Sequence, residues 1–266
     1  MTMLKRREIL AGAAGLALFG GRAARAETAR ERGLRIATDA SNRRGGYRDI
    51  SATGEMVLRT ASNQTSNRRF DASWIDAGRN DSRSLLIFRW PGDIRNTALL
   101  THAYPTKTDD QWLFLPAMER VRRIRGSGRS GSFVGSEFAF EDMVDQEVAK
   151  FDHIWIADER CPGSGTCHVI DMIPRSPSGY SRQRVWLDTK ELRLQRVQYF
   201  YRGGAHLKTL TVGKYRLYNN RFWRAGQMVM ENHLTGAGTT LNWKDYVFDR
   251  GLNANAFTVN ALRRIN

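Results

Sequence analysis

The C-terminal part of the chain consists of short strand-like runs separated by tight-turn signals, and this pattern restricts the fold more than any other feature. The pairs Gly203-Gly204 and Asn219-Asn220 lie between such runs and are hairpin signals. Connections this short force neighbouring strands to be antiparallel. The sequence therefore predicts a meander of antiparallel strands over residues 192–201, 207–215, 221–224, 227–231 and 239–248.

Similar runs occur further upstream, at residues 56–58, 84–90 and 111–115, and some of them are apolar on both faces. Trp112 and Phe114 point to one face of a strand, while Leu113 and Leu115 point to the other. A sheet with one face in water would alternate apolar and polar residues instead. This pattern predicts a sheet with a covering layer on one face and a cavity or partner on the other, or else a two-layer core that binds nothing.

One helical stretch precedes the strands. Residues 28–42 are loosely amphipathic, with Leu34, Ile36, Ala37 and Ala40 among charged residues. We find no internal repeat and no linker long enough to separate domains, so we predict a single domain over residues 27–266.

The first 26 residues resemble an export signal. Lys5, Arg6 and Arg7 precede an apolar run over residues 9–21, and residues 24–26 (Ala-Arg-Ala) form a small-x-small cleavage site. A permanent membrane helix needs roughly 20 apolar residues, which this run lacks. We predict a signal peptide over residues 1–26, read by the twin-arginine or the general secretion route, with a buried N-terminal helix as the alternative. No Cys directly follows the cleavage site, so we expect the exported, periplasmic protein to carry no lipid anchor.

The charge of the chain is strongly positive, formally +15. Residues 1–26 hold five Lys or Arg and one Glu, hence +4, which leaves +11 for the remainder. Such a charge attracts nucleic acid or anionic membranes. For an exported protein we expect no nucleic-acid partner and at most a peripheral membrane contact. The alternative is a solvated surface rich in arginine, since Arg outnumbers Lys 35 to 7.

Two cysteines, Cys161 and Cys167, enclose a short segment containing Pro and Gly. An oxidising compartment favours a disulfide between them. Metal binding together with the adjacent His168 is the alternative, although a fourth ligand at a recognised spacing is missing from the sequence. We predict the disulfide.

Catalytic and cofactor motifs find little support in the sequence. Residues 126–131 match the G-x-G-x-x-G fingerprint but lack the strand–turn–helix context that nucleotide binding needs. The five histidines are scattered, and we interpret the acidic pairs Asp109-Asp110, Glu141-Asp142 and Asp158-Glu159 as solvated loop residues. We therefore expect a protein that is not an enzyme and has no cofactor, no metal and no catalytic residue.

The densest basic region covers residues 120–125, with Arg129 beyond it. We predict that this region contacts an anionic headgroup or an acidic partner protein, and a solvated strand is the alternative. The predicted contact residues are Arg120, Arg122, Arg123, Arg125 and Arg129.

Several segments resemble a bacterial family of outer-membrane lipoprotein-sorting proteins, within the wider LolA/LolB-like superfamily. The resemblance rests on residues 109–118 (DDQWLFLPAM), 120–125, 129–138 (RSGSFVGSEF) and Glu141-Asp142, and spans about residue 85 to the C-terminus. Shorter matches are at residues 186–188, 207–211, 230–233, 235–236 and 257–258. The disulfide loop is not a general feature of this family's pattern.

The resemblance implies a mainly β fold: a strongly curved antiparallel sheet, or incomplete β-barrel, with an N-terminal helix over its concave face. It also implies a monomeric periplasmic carrier of lipoprotein acyl chains or other lipids, which helps to sort them toward the outer membrane and accompanies an inner-membrane exporter. The alternative function is an accessory module that docks on such an exporter or a sensor through the basic region. The candidate ligand-binding residues are Trp90, Trp112, Phe114, Met118, Trp186, Met228, Met230 and Trp243.

An open concave face would leave apolar residues in water unless something covers them. We therefore predict that the helix over residues 28–42 acts as a lid and moves about Gly45-Gly46 when ligand enters. A static helix packed on the sheet is the alternative.

Overall fold

The computed structural model of this chain describes residues 26–78 and 81–265. The predicted signal peptide, apart from its last residue, lies outside this range. Within the described residues, no helix has the length and apolar character needed to cross a membrane.

The predicted N-terminal helix is present as α1 (Ala29–Arg44). Thr28 caps it reciprocally with Glu31: the Thr28 hydroxyl accepts from the Glu31 N–H at 3.2 Å, and the Glu31 carboxylate accepts from the Thr28 N–H at 2.8 Å. The helix continues two residues beyond the predicted end. Arg43 and Arg44 in its last turn interact favourably with the negative end of the helix dipole and so stabilise these residues as helix.

The buried residues of α1 are Gly33, Ile36 and Ala40, which share one face of the helix. Leu34, an apolar residue of the amphipathic pattern, is 49% exposed because it lies off this face. A side chain at position 33 would place its Cβ 2.7 Å from the backbone nitrogen of Trp155. Glycine at this position therefore allows α1 to approach the backbone of its neighbouring strand.

Fifteen strands follow α1 in the part of the chain that the structure describes, all paired antiparallel. They are β1 (Asp49–Arg59), β2 (Thr65–Gly78), β3 (Asp81–Trp90), β4 (Ala98–Ala103), β5 (Asp110–Leu115), β6 (Arg120–Ile124), β7 (Phe151–Arg160), β8 (Thr166–Pro174), β9 (Tyr180–Asp188), β10 (Leu194–Tyr201), β11 (His206–Gly213), β12 (Arg216–Tyr218), β13 (Phe222–Arg224), β14 (Gln227–Asn232) and β15 (Gly238–Phe248). A short helix, α2 (Val259–Leu262), ends the described fold.

Thirteen of these described strands form one sheet in the order β6-β5-β4-β3-β2-β1-β15-β14-β11-β10-β9-β8-β7. Its two ends, β6 and β7, do not pair with each other, so the sheet does not close into a barrel. Strands β12 and β13 form a separate hairpin. Asn219 and Asn220 connect these two strands with φ of 49° and 51°, the positive values that a tight hairpin turn requires.

The sheet curves around one apolar core. Phe70 and Phe88 from β2 and β3 belong to the same buried cluster as Ile170, Val185 and Leu210 from β8, β9 and β11. Strands so far apart in the sheet order contribute to one cluster only if the sheet bends around it. Residues 125–150, which connect β6 to β7, cross this concave side and add Phe133, Phe138 and Phe140 to the core.

A second apolar cluster covers the convex face. Phe114 on β5 and Leu100 on β4 pack there against Phe257 and Leu262 of the C-terminal segment. Because Leu113 belongs to the concave cluster and Phe114 to this one, β5 is apolar on both faces, as the sequence predicts. The predicted fold is confirmed: a mainly β, strongly curved antiparallel sheet that forms an incomplete barrel, with an N-terminal helix over its concave face.

Candidate functional site: an apolar cavity under the N-terminal helix

A cavity of about 280 Å³ lies between the concave face of the sheet, α1 and the segment over residues 138–148. Its walls are mostly aliphatic because inward-facing strand positions carry Leu, Val, Ile and Met. The apolar lining includes Ala37, Ala40, Trp74, Leu86, Leu99, Met143, Ile170, Met172, Val185, Leu187, Val197, Leu210, Met228, Leu241 and Trp243.

The cavity reaches solvent beside the last turn of α1. Arg44 and Asp145 both line it and are exposed, so one basic and one acidic side chain stand at this rim. Gly45 and Gly46, the predicted hinge, follow directly, and Gly46 has a φ of 85°. An interior that is mostly apolar but includes the buried Asp142, with exposed charges at the rim, suits a ligand with an apolar chain and a polar end.

A buried polar cluster supports the cavity wall on the side of β10 and β11. The ammonium group of Lys208 donates to Asp142 Oδ2 at 2.6 Å and to the Glu137 carbonyl oxygen at 2.9 Å. The Tyr180 hydroxyl donates to Asp142 Oδ1 at 2.9 Å. Burial and the negative charge of Asp142 raise the pKa of Tyr180 and the pKa of Tyr199, so both phenols are neutral.

This cluster fastens residues 137–142 to the sheet, and the sequence did not reveal it. The interpretation of Glu141-Asp142 as solvated is wrong: Asp142 is paired with Lys208, and Glu141 accepts from the Ser178 hydroxyl at 2.6 Å. The partners lie about 40 to 70 positions away along the chain. The feature of the sequence that could have indicated this cluster is Lys208, which lies among apolar residues of a strand. A buried charge requires a partner, so a carboxylate had to lie near it.

A histidine also faces the cavity. His153 is buried on β7, and its Nε2–H donates to the Val148 carbonyl oxygen at 3.0 Å. Burial lowers the pKa of His153, so the imidazole is neutral. Within residues 26–78 and 81–265, three or more His, Cys, Asp or Glu side chains do not come together in an arrangement suited to a metal ion.

The structure places only some of the predicted ligand-binding residues at the cavity. Met228 and Trp243 line it, and Met230 is fully buried in the core beside it. Trp186 lies on the opposite face of β9, whereas its neighbours Val185 and Leu187 line the cavity. Trp186 was a candidate in the sequence prediction, but alternation along the strand makes its two neighbours face the cavity instead.

The remaining four predicted ligand-binding residues lie away from the cavity. Trp112 and Phe114 pack on the convex face under the C-terminal segment. Trp90 and Met118 are 43% and 70% exposed.

The predicted disulfide between Cys161 and Cys167 is present and closes the turn between β7 and β8. It packs against Val169 and Trp186, outside the cavity. His168, considered as a metal ligand, instead bonds through Nδ1 to Asp158 Oδ1 at 2.6 Å. Asp158 also accepts from Arg32 of α1 at 2.7 Å, so it ties the helix to β7, and the interpretation of Asp158 as solvated is wrong.

The predicted basic region forms the edge strand β6 and the turn after it. Arg123 pairs with Asp110, and Arg129 Nη2 lies 3.7 Å from Asp109 Oδ2. Asp109 is buried and also pairs with Lys150. The interpretation of Asp109-Asp110 as solvated is therefore wrong too.

Comparison with known proteins agrees with this architecture. A family model described only as an uncharacterized protein matches residues 80–264. A crystal structure assigned as an outer membrane lipoprotein-sorting protein domain from Vibrio parahaemolyticus has 41% identity and a TM-score of 0.85, covering 88% of this chain and 100% of that one. A DUF1329 family protein from Desulfovibrio piger has 26% identity and a TM-score of 0.84, covering 88% of this chain and 99% of that one.

A more distant structure shares the fold. A LolA superfamily protein from Nitrosomonas europaea has 17% identity and a TM-score of 0.68, covering 86% of this chain and 98% of that one. A search of curated sequences finds no match.

Proposed function

The chain belongs to the outer-membrane lipoprotein-sorting family, and from this premise we propose that it is a carrier that holds acyl or other lipid chains non-covalently under α1. The observation that carries the proposal is the apolar cavity between the sheet and the helix. We assign the ligand contacts to its lining, including Met228 and Trp243, and no catalytic role to any residue.

The energetics favour a long-chain ligand. Each buried methylene contributes ~0.8 kcal/mol, so ten of them contribute about 8 kcal/mol. Association costs roughly 4–15 kcal/mol of lost freedom, so a chain of more than ten carbons is needed for firm binding. The cavity of about 280 Å³ is near the lower end of the range for ligand sites, and such a chain fits better if α1 moves outward.

The cellular setting is part of the same proposal. Residues 1–26 would direct export and be removed, leaving residues 27–266 as a single monomeric domain in the periplasm. There the carrier would help to move lipoproteins or free lipids toward the outer membrane.

Lipid extraction of the purified protein followed by mass spectrometry tests the proposal. We expect a co-purified lipid, and uptake of a fluorescent long-chain fatty acid by the delipidated protein. Absence of both would overturn the carrier function.

A cavity-filling variant locates the ligand. Ala37→Phe places an aromatic ring in the cavity, where it should take the space of about two methylene groups of the ligand. We expect this to weaken fatty-acid binding by about tenfold. Thr38→Phe is the control, because Thr38 is the next residue of α1 and is exposed. Equal affinity of the two variants would place the ligand elsewhere.

A further inference from the structure

The two edge strands of the main sheet differ in whether another element covers them. Strand β7 at one edge is covered by α1, which packs along it through the close approach at Gly33. Strand β6 at the other edge pairs only with β5 in the part of the chain that the structure describes. Its outer backbone N–H and C=O groups are therefore available to another strand.

This open edge carries unpaired positive charge. Arg120, Arg122 and Arg125 are exposed and make no ion pair with any described residue, whereas Arg123 is neutralised by Asp110. Arg120 and Arg122 are two residues apart, beside Leu115 and Leu113, so they project from the same face of the strand. Beyond the end of β6, a cleft lined by Lys107, Arg123, Arg125 and Arg129 and by the two acidic residues Asp109 and Asp110 keeps a net positive charge.

We propose that β6 is a docking edge for an extended acidic segment of a partner protein, which adds to the sheet as a fourteenth strand. The main chain of the segment bonds to the free edge of β6, and alternate carboxylates face Arg120 and Arg122. A second copy of this chain does not fit, since pairing two β6 edges would set arginine against arginine. This inference is independent of lipid binding, because the cavity lining includes no residue of β6.

A synthetic seven-residue peptide of alternating Glu and Val is the probe. Fluorescence anisotropy should detect its binding to the full chain, and binding should weaken as salt rises. The double variant Arg120→Glu with Arg122→Glu should bind at least about tenfold less tightly, since two attractive charge pairs become repulsive.

The matched control reverses two exposed cations elsewhere with the same spacing, Lys214→Glu with Arg216→Glu, and should retain the affinity. A peptide N-methylated at alternate amides should not bind, because strand addition requires its N–H groups. Unchanged fatty-acid uptake in the β6 variant shows that the fold and the carrier site are intact.

Three results would overturn the inference. The first is equal peptide affinity of the β6 variant and the wild type, and the second is full binding of the N-methylated peptide. The third is capture by phosphatidylglycerol vesicles that depends on Arg120 and Arg122 without any peptide binding, which would make a membrane surface the occupant.

Discussion

At the scale of single residues, the Cys161–Cys167 disulfide offers a test that separates stability from binding. In the chain-entropy model a loop this short contributes about 2 kcal/mol to the free energy of unfolding. Replacing both cysteines with Ala should therefore lower that free energy by about 2 kcal/mol in urea titrations. Fatty-acid uptake should not change, because the disulfide lies outside the cavity. Thiol labelling of the wild type without reductant would contradict the pairing.

Individual cavity residues were harder to predict than the disulfide. The sequence showed that Trp112 and Leu113 face opposite ways, but alternation alone does not say which face is concave. The face that carries Trp112 is the convex one, because Phe257 of the C-terminal segment covers it, and Phe257 lies more than 140 positions later in the chain. The disulfide was predictable because both partners lie within one short turn, whereas the cavity is assembled from distant strands.

At the scale of elements, we expect the contact between α1 and β7 to control how firmly the helix covers the cavity. Asp158 on β7 accepts from Arg32 of α1, and the Arg32 guanidinium lies 3.8 Å from the Trp155 ring centre. An exposed ion pair contributes ~0.2–1 kcal/mol, so Asp158→Asn should raise the initial rate of fatty-acid uptake by up to about fivefold. Asp152, also on β7, forms a similar ion pair with Arg175. Asp152→Asn removes that pair and should leave the uptake rate unchanged. Equal rates in the two variants would show that Asp158 does not hold the helix.

The same contact sets a pH dependence. Burial acts to raise the pKa of Asp158, but hydrogen bonds from His168 and Trp155 and the charge of Arg32 outweigh it and lower that pKa. The ion pair between Asp158 and Arg32 is therefore fully formed above the ordinary carboxyl pKa of about 3.9. It is lost as the pH falls through the lowered pKa of Asp158. Uptake by the wild type should approach that of Asp158→Asn only in acid below about pH 4.

Only some of the elements were predicted: β2, β4 and β7 to β9 were not, and residues 221–224 pair with β12 outside the main sheet. Thr28 and Glu31 mark the start of α1 in the sequence, and glycine or asparagine pairs mark two hairpins, because capping and turn chemistry act over a few residues. The end of α1 was predicted two residues early. The open edge at β6 was not predicted, since the order of strands in the sheet depends on long-range pairing.

At the scale of the whole molecule, one curved sheet has two apolar faces, and each needs a cover. The C-terminal segment covers part of the convex face, and α1 with residues 138–148 covers the concave face. The movement of α1 as a lid stays a prediction beside the static helix: it would have to break the contact through Gly33, Ile36 and Ala40, and Gly46 follows the helix. Ligand entry under a lid would then separate α1 from the sheet and leave the sheet folded.

Removing α1 tests this arrangement directly. Deletion of residues 27–42 should expose the aliphatic lining of the cavity to water, because Ala37 and Ala40 no longer cover it. We expect stronger fluorescence of a hydrophobic dye and self-association in gel filtration, since a large exposed apolar patch is unusual in a soluble monomer. The chain that begins at residue 27 serves as the control, and added long-chain fatty acid should displace the dye from the deletion variant. A deletion variant that stays monomeric and binds no more dye than the control would mean that α1 is not the cover of the cavity.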